Sequence, residues 1–300
     1  MQNLSSNTRV LPQLATLILA CLLLAHCSSN SKKLQFVDTS EQGLYQRAVK
    51  QIKNNLYDEA AETLQTMEAN YPFGEYSKSA QLALIYVYYK YDELAASSAS
   101  ADRFIRLHPQ YRHVDYAYYM KGLIEFPKSK SLLQQTFKVN LSKRDISAAR
   151  VSFNHFSTLV KRFPDSEYAA DAIKRMTFLR NQLARHELYV ANYYFERKAY
   201  LAAANRGRYV VENFQETPSI PDALAVMVQG YSKMKMTELA ANSLLVLKQN
   251  YPDYPALDSN GEFNLRYSTQ TNTSWIDFIT LGLLGSNQPP GFNTEEQYNQ

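Results

Sequence analysis

The sequence predicts an all-α superhelical solenoid of five helix pairs, with insertions in the third and fourth pairs. Three observations predict it: one side-chain template recurs five times in order, a helix break follows almost every copy, and the copies step by one repeat or by one repeat plus roughly one helix. In the first copy Ala60, Leu64 and Met67 precede Tyr71 by 11, 7 and 4 residues, which places all four on one face of a helix. The same offsets fit Ser97, Ala101, Phe104 and His108; Ser152, Phe156, Leu159 and Phe163; Ala203, Gly207, Val210 and Phe214; and Ala240, Leu244, Leu247 and Tyr251. The first position is always Ala or Ser, small enough for a neighbouring helix to come close. The last is aromatic or His and ends the helix. Pro follows it at Pro72, Pro109, Pro164 and Pro252, where it cannot continue the helix. The fourth copy has Gln215 instead and delays its break to Pro218 and Pro221.

The terminal anchors step by 37, 55, 51 and 37 residues. A tetratricopeptide (TPR) helix-turn-helix repeat has a period of about 34. Two steps match one repeat, and two are longer by roughly one helix. Stacked repeats share a continuous core in one elongated body. Composition agrees: 45% hydrophobic and 20% charged residues suit a folded chain, and only 9 Gly among 300 residues suits helix. Tyr is abundant, at 23. The net charge of +4 is scattered, too weak and diffuse for a nucleic-acid footprint.

Taken in order, residues 1–26 read as an export signal, with Arg9 ahead of the 12-residue apolar run Leu14 to Ala25. That run is too short to span a bilayer. Leu24-Ala25-His26-Cys27 resembles a bacterial lipoprotein processing site, although His26 stands where a small residue is usual. Ile18-Leu19-Ala20-Cys21 keeps the small residue, but would leave Leu22 to Ala25 as an apolar stub. Cys27 is therefore the expected lipid anchor. An unlipidated secreted chain is the bland alternative. No Cys lies beyond residue 27 to form a disulfide.

Residues 27–39 read as a polar tether and 40–257 as the solenoid. The first helix starts after Ser40. The second pair uses Ser77 to Lys90 and Leu94 to His108. The third begins at Val114 and is interrupted from Pro127 to Arg144 by a polar loop, with Asp145 as the N-cap of its second helix. The fourth stays periodic from Asp165 to Tyr200, as one long helix or two with a bend. The fifth uses Pro221 to Lys235 and Glu238 to Tyr251. Residues 258–300 read as an irregular extension. Within it Trp275 to Leu284 forms either a capping helix or a docking segment for a partner or membrane surface, and the last residues are expected to be disordered.

Enzymatic chemistry is not expected. The five His are not spaced as metal ligands, and no phosphate loop or nucleophile elbow occurs. Neither a cofactor nor a metal is expected. Asp58-Glu59 and Asp92-Glu93 fall at expected helix starts, where acids favour the helix dipole. His108 occupies a helix-ending slot, which makes it structural. The clusters Tyr86–Tyr89 and Tyr193–Phe195 read mainly as packing between repeats, with some Tyr available to a peptide on the concave face.

Several stretches resemble a known family. Asn70–Ser77 (NYPFGEYS), the following LALIYVYYK, Asp102–Pro109 (DRFIRLHP), Asp115–Leu123 (DYAYYMKGL) and Leu159–Glu187 are similar to the BamD, or ComL-type, lipoproteins, in order over about residues 40–250. The resemblance implies a lipoprotein on the periplasmic face of the outer membrane. It would serve as a non-enzymatic scaffold in β-barrel protein assembly. The implied partners are the POTRA domains of the barrel subunit BamA, other Bam lipoproteins, and the C-terminal segments of unfolded barrel substrates, with attachment to the membrane through the lipid. The resemblance places Tyr71, Pro72, Phe73 and Tyr76 at the end of a substrate-peptide groove and Asn205 and Arg206 on the BamA-facing side. The bland readings are a turn set by Pro72 and Gly74 with Phe73 buried, and a solvated surface Arg206. Another periplasmic TPR lipoprotein, serving secretin, pilus or cell-wall assembly, is the competing function.

Overall fold

The computed structural model describes residues 38–127, 146–267 and 291–292. Ten helices occur among them: α1 (Glu41–Lys53), α2 (Tyr57–Asn70), α3 (Ser77–Lys90), α4 (Leu94–Leu107), α5 (Val114–Glu125), α6 (Ser147–Arg162), α7 (Ala169–Glu196), α8 (Tyr200–Asn213), α9 (Ile220–Lys233) and α10 (Thr237–Asn250). Each packs on the helix before and after it. Contacts between α3 and α5 and between α7 and α9 add the next-but-one layer. This sequential packing makes the five pairs a solenoid. Cys27, residues 128–145, where a polar loop is expected, and Trp275–Leu284 lie outside the described residues.

The recurring template is the stacking device. Ala60, Ala101 and Ala203 are fully buried, as are Ser97 and Ser152. The two serines also donate to carbonyls of the preceding helix, Ser97 Oγ to Ile85 O and Ser152 Oγ to Gly122 O, each at 2.8 Å. Gly122 has no room for a side chain, because the Phe156 ring occupies the space where one would stand. Gly207, the second anchor of the fourth copy, lies so close to α9 that an added Cβ would sit 2.6 Å from the Ala223 carbonyl oxygen.

All five second helices end alike. Tyr71, His108, Phe163, Phe214 and Tyr251 are the C-cap residues, with φ between −125° and −138° and ψ between 42° and 66°. Each donates its N–H to the carbonyl four residues back, at 2.8 Å. A following Pro disfavours the helical region at the residue before it. Phe214 adopts the same geometry ahead of Gln215, so the packed aromatic sets the stop and Pro reinforces it. His108 is structural as expected: its ring centroid lies 5.0 Å from that of Phe104, and Nε2 is 3.1 Å from Gln81 Oε1. Burial and the nearby Lys78 lower its pKa.

The turns inside the pairs use left-handed residues that are not glycine: Asn55, Asp92, Lys198 and Lys235, with φ from 58° to 65°. In each, the next N–H closes back onto the preceding helix: Leu56 to Gln51, Glu93 to Tyr88, Ala199 to Tyr194 and Met236 to Tyr231. Asp92 thus belongs to a turn and Glu93 is the N-cap of α4, so of the two acidic pairs only Asp58-Glu59 lies in a first helical turn, that of α2. The bend left open for the fourth pair does not occur, since α7 is one helix of 28 residues. After Tyr251 the chain forms a one-bridge turn, Leu257 with Phe263, held by Asp258 accepting the N–H groups of Asn260 and Glu262. At Gly291 and Phe292 the tail is not disordered: Phe292 is fully buried. One apolar residue in a polar tail has no periodicity from which to foresee this.

Candidate functional site

The residues expected to contact substrate sit on a braced turn between α2 and α3. The Tyr71 hydroxyl donates to Thr39 O at 3.0 Å, and Ser77 Oγ donates to Pro72 O at 2.8 Å. Glu41, in the first turn of α1, reaches across to the start of α3. Its Oε1 accepts the Tyr76 N–H at 2.7 Å, and its Oε2 accepts the Glu75 N–H at 3.2 Å. A carboxylate suits those unpaired donors and the positive end of a helix. Gly74 leaves the space that the carboxylate fills. The Tyr76 ring stacks on Tyr45, with centroids 5.0 Å apart and planes 29° apart.

Phe73 is not buried in this turn. It is 99% exposed, and Pro72 beside it is exposed as well. The turn held by these bonds carries an aromatic ring wholly in water, where it contributes little to folding. A separate aromatic cluster lies toward the other end of α2 and α3, where α2 begins and α3 ends. Tyr57 and Tyr86 meet edge to face at 6.4 Å, and Lys90 Nζ lies 5.7 Å and 6.0 Å from their centroids.

The second expected place is on α8. Asn205 is exposed, beside a shallow groove lined also by Tyr200, Leu201 and Met234. Arg206 is not a freely solvated arginine. Its Nη1 lies 2.7 Å from Glu187 Oε2 on α7, and the Glu187 side chain is only 4% exposed against 42% for Arg206. The hydrogen bond to Glu187 raises the guanidinium pKa against a smaller opposing effect of burial. Arg206 neutralises a buried acid on one side and faces outward on the other.

The two places are on different repeats: the 71–76 turn leans on α1, whereas α8 packs on α7 and α9. Sequence reasoning missed Glu41 and Glu187. Both act across helices, at 35 and 19 positions from their partners. It also missed a polar-aromatic cluster between α5 and α7. There Tyr119 donates to Asp171 Oδ2 at 2.6 Å, Arg175 Nε lies 2.5 Å from the same oxygen, and the Tyr119 and Tyr168 rings stack at 4.8 Å. Burial first, then the bond to Asp171, pushes the Tyr119 hydroxyl up to about 12. Among the described residues no His, Cys, Asp and Glu gather as a metal set, and no helix is long and apolar enough to cross a membrane.

Comparison with known proteins gives concordant results. A family described as "Outer membrane lipoprotein" and named YfiO matches residues 37–246. The outer membrane protein assembly factor BamD of Neisseria gonorrhoeae is 38% identical over 220 residues, 73% of this chain and 82% of that protein. BamD of Xylella fastidiosa (strain Temecula1) is 34% identical, covering 81% of this chain and 83% of its own. BamD of Vibrio cholerae is 33% identical, covering 78% and 96%.

Proposed function

The chain belongs to the YfiO family of outer membrane lipoproteins, alongside the outer membrane protein assembly factors named BamD, and from that premise we propose how it serves assembly. Its role is in outer-membrane protein assembly. It acts as a scaffold: the first repeats receive an extended segment of an unfolded barrel protein, and the fourth repeat docks on the POTRA domains of BamA. Other Bam lipoproteins bind the same solenoid. A lipid on Cys27 holds it at the periplasmic face of the outer membrane.

The observation that carries this reading is Phe73, fully exposed on a turn that Glu41, Ser77 and Tyr71 brace. Such a ring offers a partner an apolar anchor at little ordering cost. At the other end, Asn205 and the outward face of Arg206 offer hydrogen-bond donors, and arginine is common in interfaces.

The test is binding of the protein to the soluble POTRA domains of the same organism's BamA, with Asn205→Ala and Arg206→Lys as interface variants. Saturable binding that both variants weaken supports the docking assignment. No binding at micromolar concentration removes it. Intact-mass spectrometry of membrane fractions tests the anchor, since a mature chain without diacylglyceryl at Cys27 refutes it.

A further inference from the structure

Gly291 and Phe292 return from the C-terminal extension to α7. The Phe292 N–H donates to Asn192 Oδ1 at 3.0 Å, and Asn192 Nδ2 donates to the Phe292 carbonyl at 3.4 Å. One side-chain amide therefore pairs with both backbone groups of one residue, as a neighbouring strand would. The Phe292 ring is fully buried, 5.6 Å from the Phe195 centroid and 6.1 Å from that of Tyr267. Tyr267 in turn lies 6.2 Å from Tyr254. Gly291 has φ +57°, and a Cβ there would stand 2.8 Å from Asn192 Nδ2. The place thus selects on three counts: a backbone that presents N–H and C=O to an amide, a residue without Cβ, and an aromatic ring after it.

We propose that α7 and the turn bearing Tyr267 form a peptide socket that reads a glycine followed by an aromatic residue, and that the chain's own Gly291–Phe292 fills it in cis as a displaceable plug. Two residues make a contact far smaller than a standard interface. Their hold comes from sharing the chain, since a segment of the same chain meets its site at an effective concentration on the order of millimolar. A segment of another chain with the same glycine–aromatic chemistry competes once it exceeds that concentration or adds contacts of its own.

The experiment uses the full chain in detergent and a labelled peptide, Gln-Pro-Pro-Gly-Phe-Asn-Thr, copied from residues 288–294. Fluorescence anisotropy is expected to show at least tenfold tighter binding to Phe292→Ala than to the unsubstituted chain. Adding Asn192→Ala is expected to reverse that gain, as is a peptide with alanine in place of its glycine. Equal affinity for the two chains, no binding to a folded Phe292→Ala chain at millimolar peptide, or full tolerance of the alanine peptide overturns the proposal. A second readout needs no substitution. Hydrogen-exchange protection of the Phe292 amide falls when millimolar peptide is added to the unsubstituted chain, and unchanged protection also overturns the proposal.

Discussion

The guanidinium of Arg206 on α8 meets the buried carboxylate of Glu187 on α7 at 2.7 Å, so a residue expected at a partner surface also closes the interior of the fourth pair. Removing one partner of such a pair strands the other charge. Arg206→Ala is expected to destabilise the chain by about 1–3 kcal/mol, less than for a fully buried pair because the arginine is half exposed. Urea unfolding of the single variant and of Arg206→Ala with Glu187→Gln checks this. The double variant should recover part of the loss, and a single variant as stable as the parent contradicts the pairing. Loss of partner binding by Arg206→Ala alone is therefore ambiguous, which is why Arg206→Lys is the better interface probe.

Phe73→Ala is expected to leave stability within about 0.5 kcal/mol, because its ring touches so little of the fold. The same substitution should weaken binding of aromatic-rich peptides copied from the ends of barrel proteins. Thermal unfolding and peptide titration on one preparation separate the effects. Unchanged titration refutes the role of Phe73.

Lys198 and Lys235 adopt left-handed backbone at φ 58° and 60°. L-residues pay about 1–2 kcal/mol there, whereas glycine visits the region freely but loses more chain entropy on folding. Lys198→Gly and Lys235→Gly should each stabilise by about 0.5–1 kcal/mol net, read as a higher urea midpoint. A lower midpoint for either contradicts the account of that turn.

Two glycines should answer differently to alanine. At Gly207 the new Cβ meets backbone, the Ala223 carbonyl oxygen, and cannot be accommodated without moving α8 from α9. A loss of about 2–3 kcal/mol is expected. At Gly74 it meets only the flexible Glu41 carboxylate, so a smaller loss is expected, through the bonds to Glu75 and Tyr76. Equal losses would contradict this ordering.

Stability should decline on mild acidification. His108 and His155 both have lowered pKa values. Burial is the main cause for each, with Lys78 adding at His108 and Lys121 at His155. A histidine with a depressed folded pKa stays neutral while the unfolded chain takes up a proton near pH 6.5. The stabilisation is therefore complete above pH 6.5 and lost as pH falls from there through the folded value. Urea midpoints between pH 7.5 and 5.5 should fall, and His155→Gln should flatten the slope. A slope that the variant leaves unchanged assigns the effect elsewhere.

The architecture was readable because its determinants are local and repeated. Ala60, Leu64, Met67 and Tyr71 share one helical face, and four further copies repeat the offsets, so the stacking surfaces and stops follow from spacing. The length of α7 was implied by the 51-residue step, though spacing alone does not tell one helix from two. What escaped were relations between distant positions. Glu41 capping α3, Glu187 under Arg206, and Phe292 on Asn192 each join residues that no period links. Phe73 is undecided from sequence, since an aromatic between Pro and Gly reads equally as buried or displayed, and it is displayed.

The unbroken α7 contributes Ala172, Leu179 and Leu183 to the core shared with α5 and α6, and Ala184, Leu188, Ala191 and Phe195 to the core shared with α8 and α9. One rod of roughly 42 Å, at about 1.5 Å per residue, is thus embedded in both halves of the solenoid. α3 bridges two core clusters in the same manner, with 14 residues against 28 in α7. Across the seam that α7 spans, flexing requires bending a hydrogen-bonded backbone. A pull at the fourth repeat is therefore transmitted to the third as through a splint.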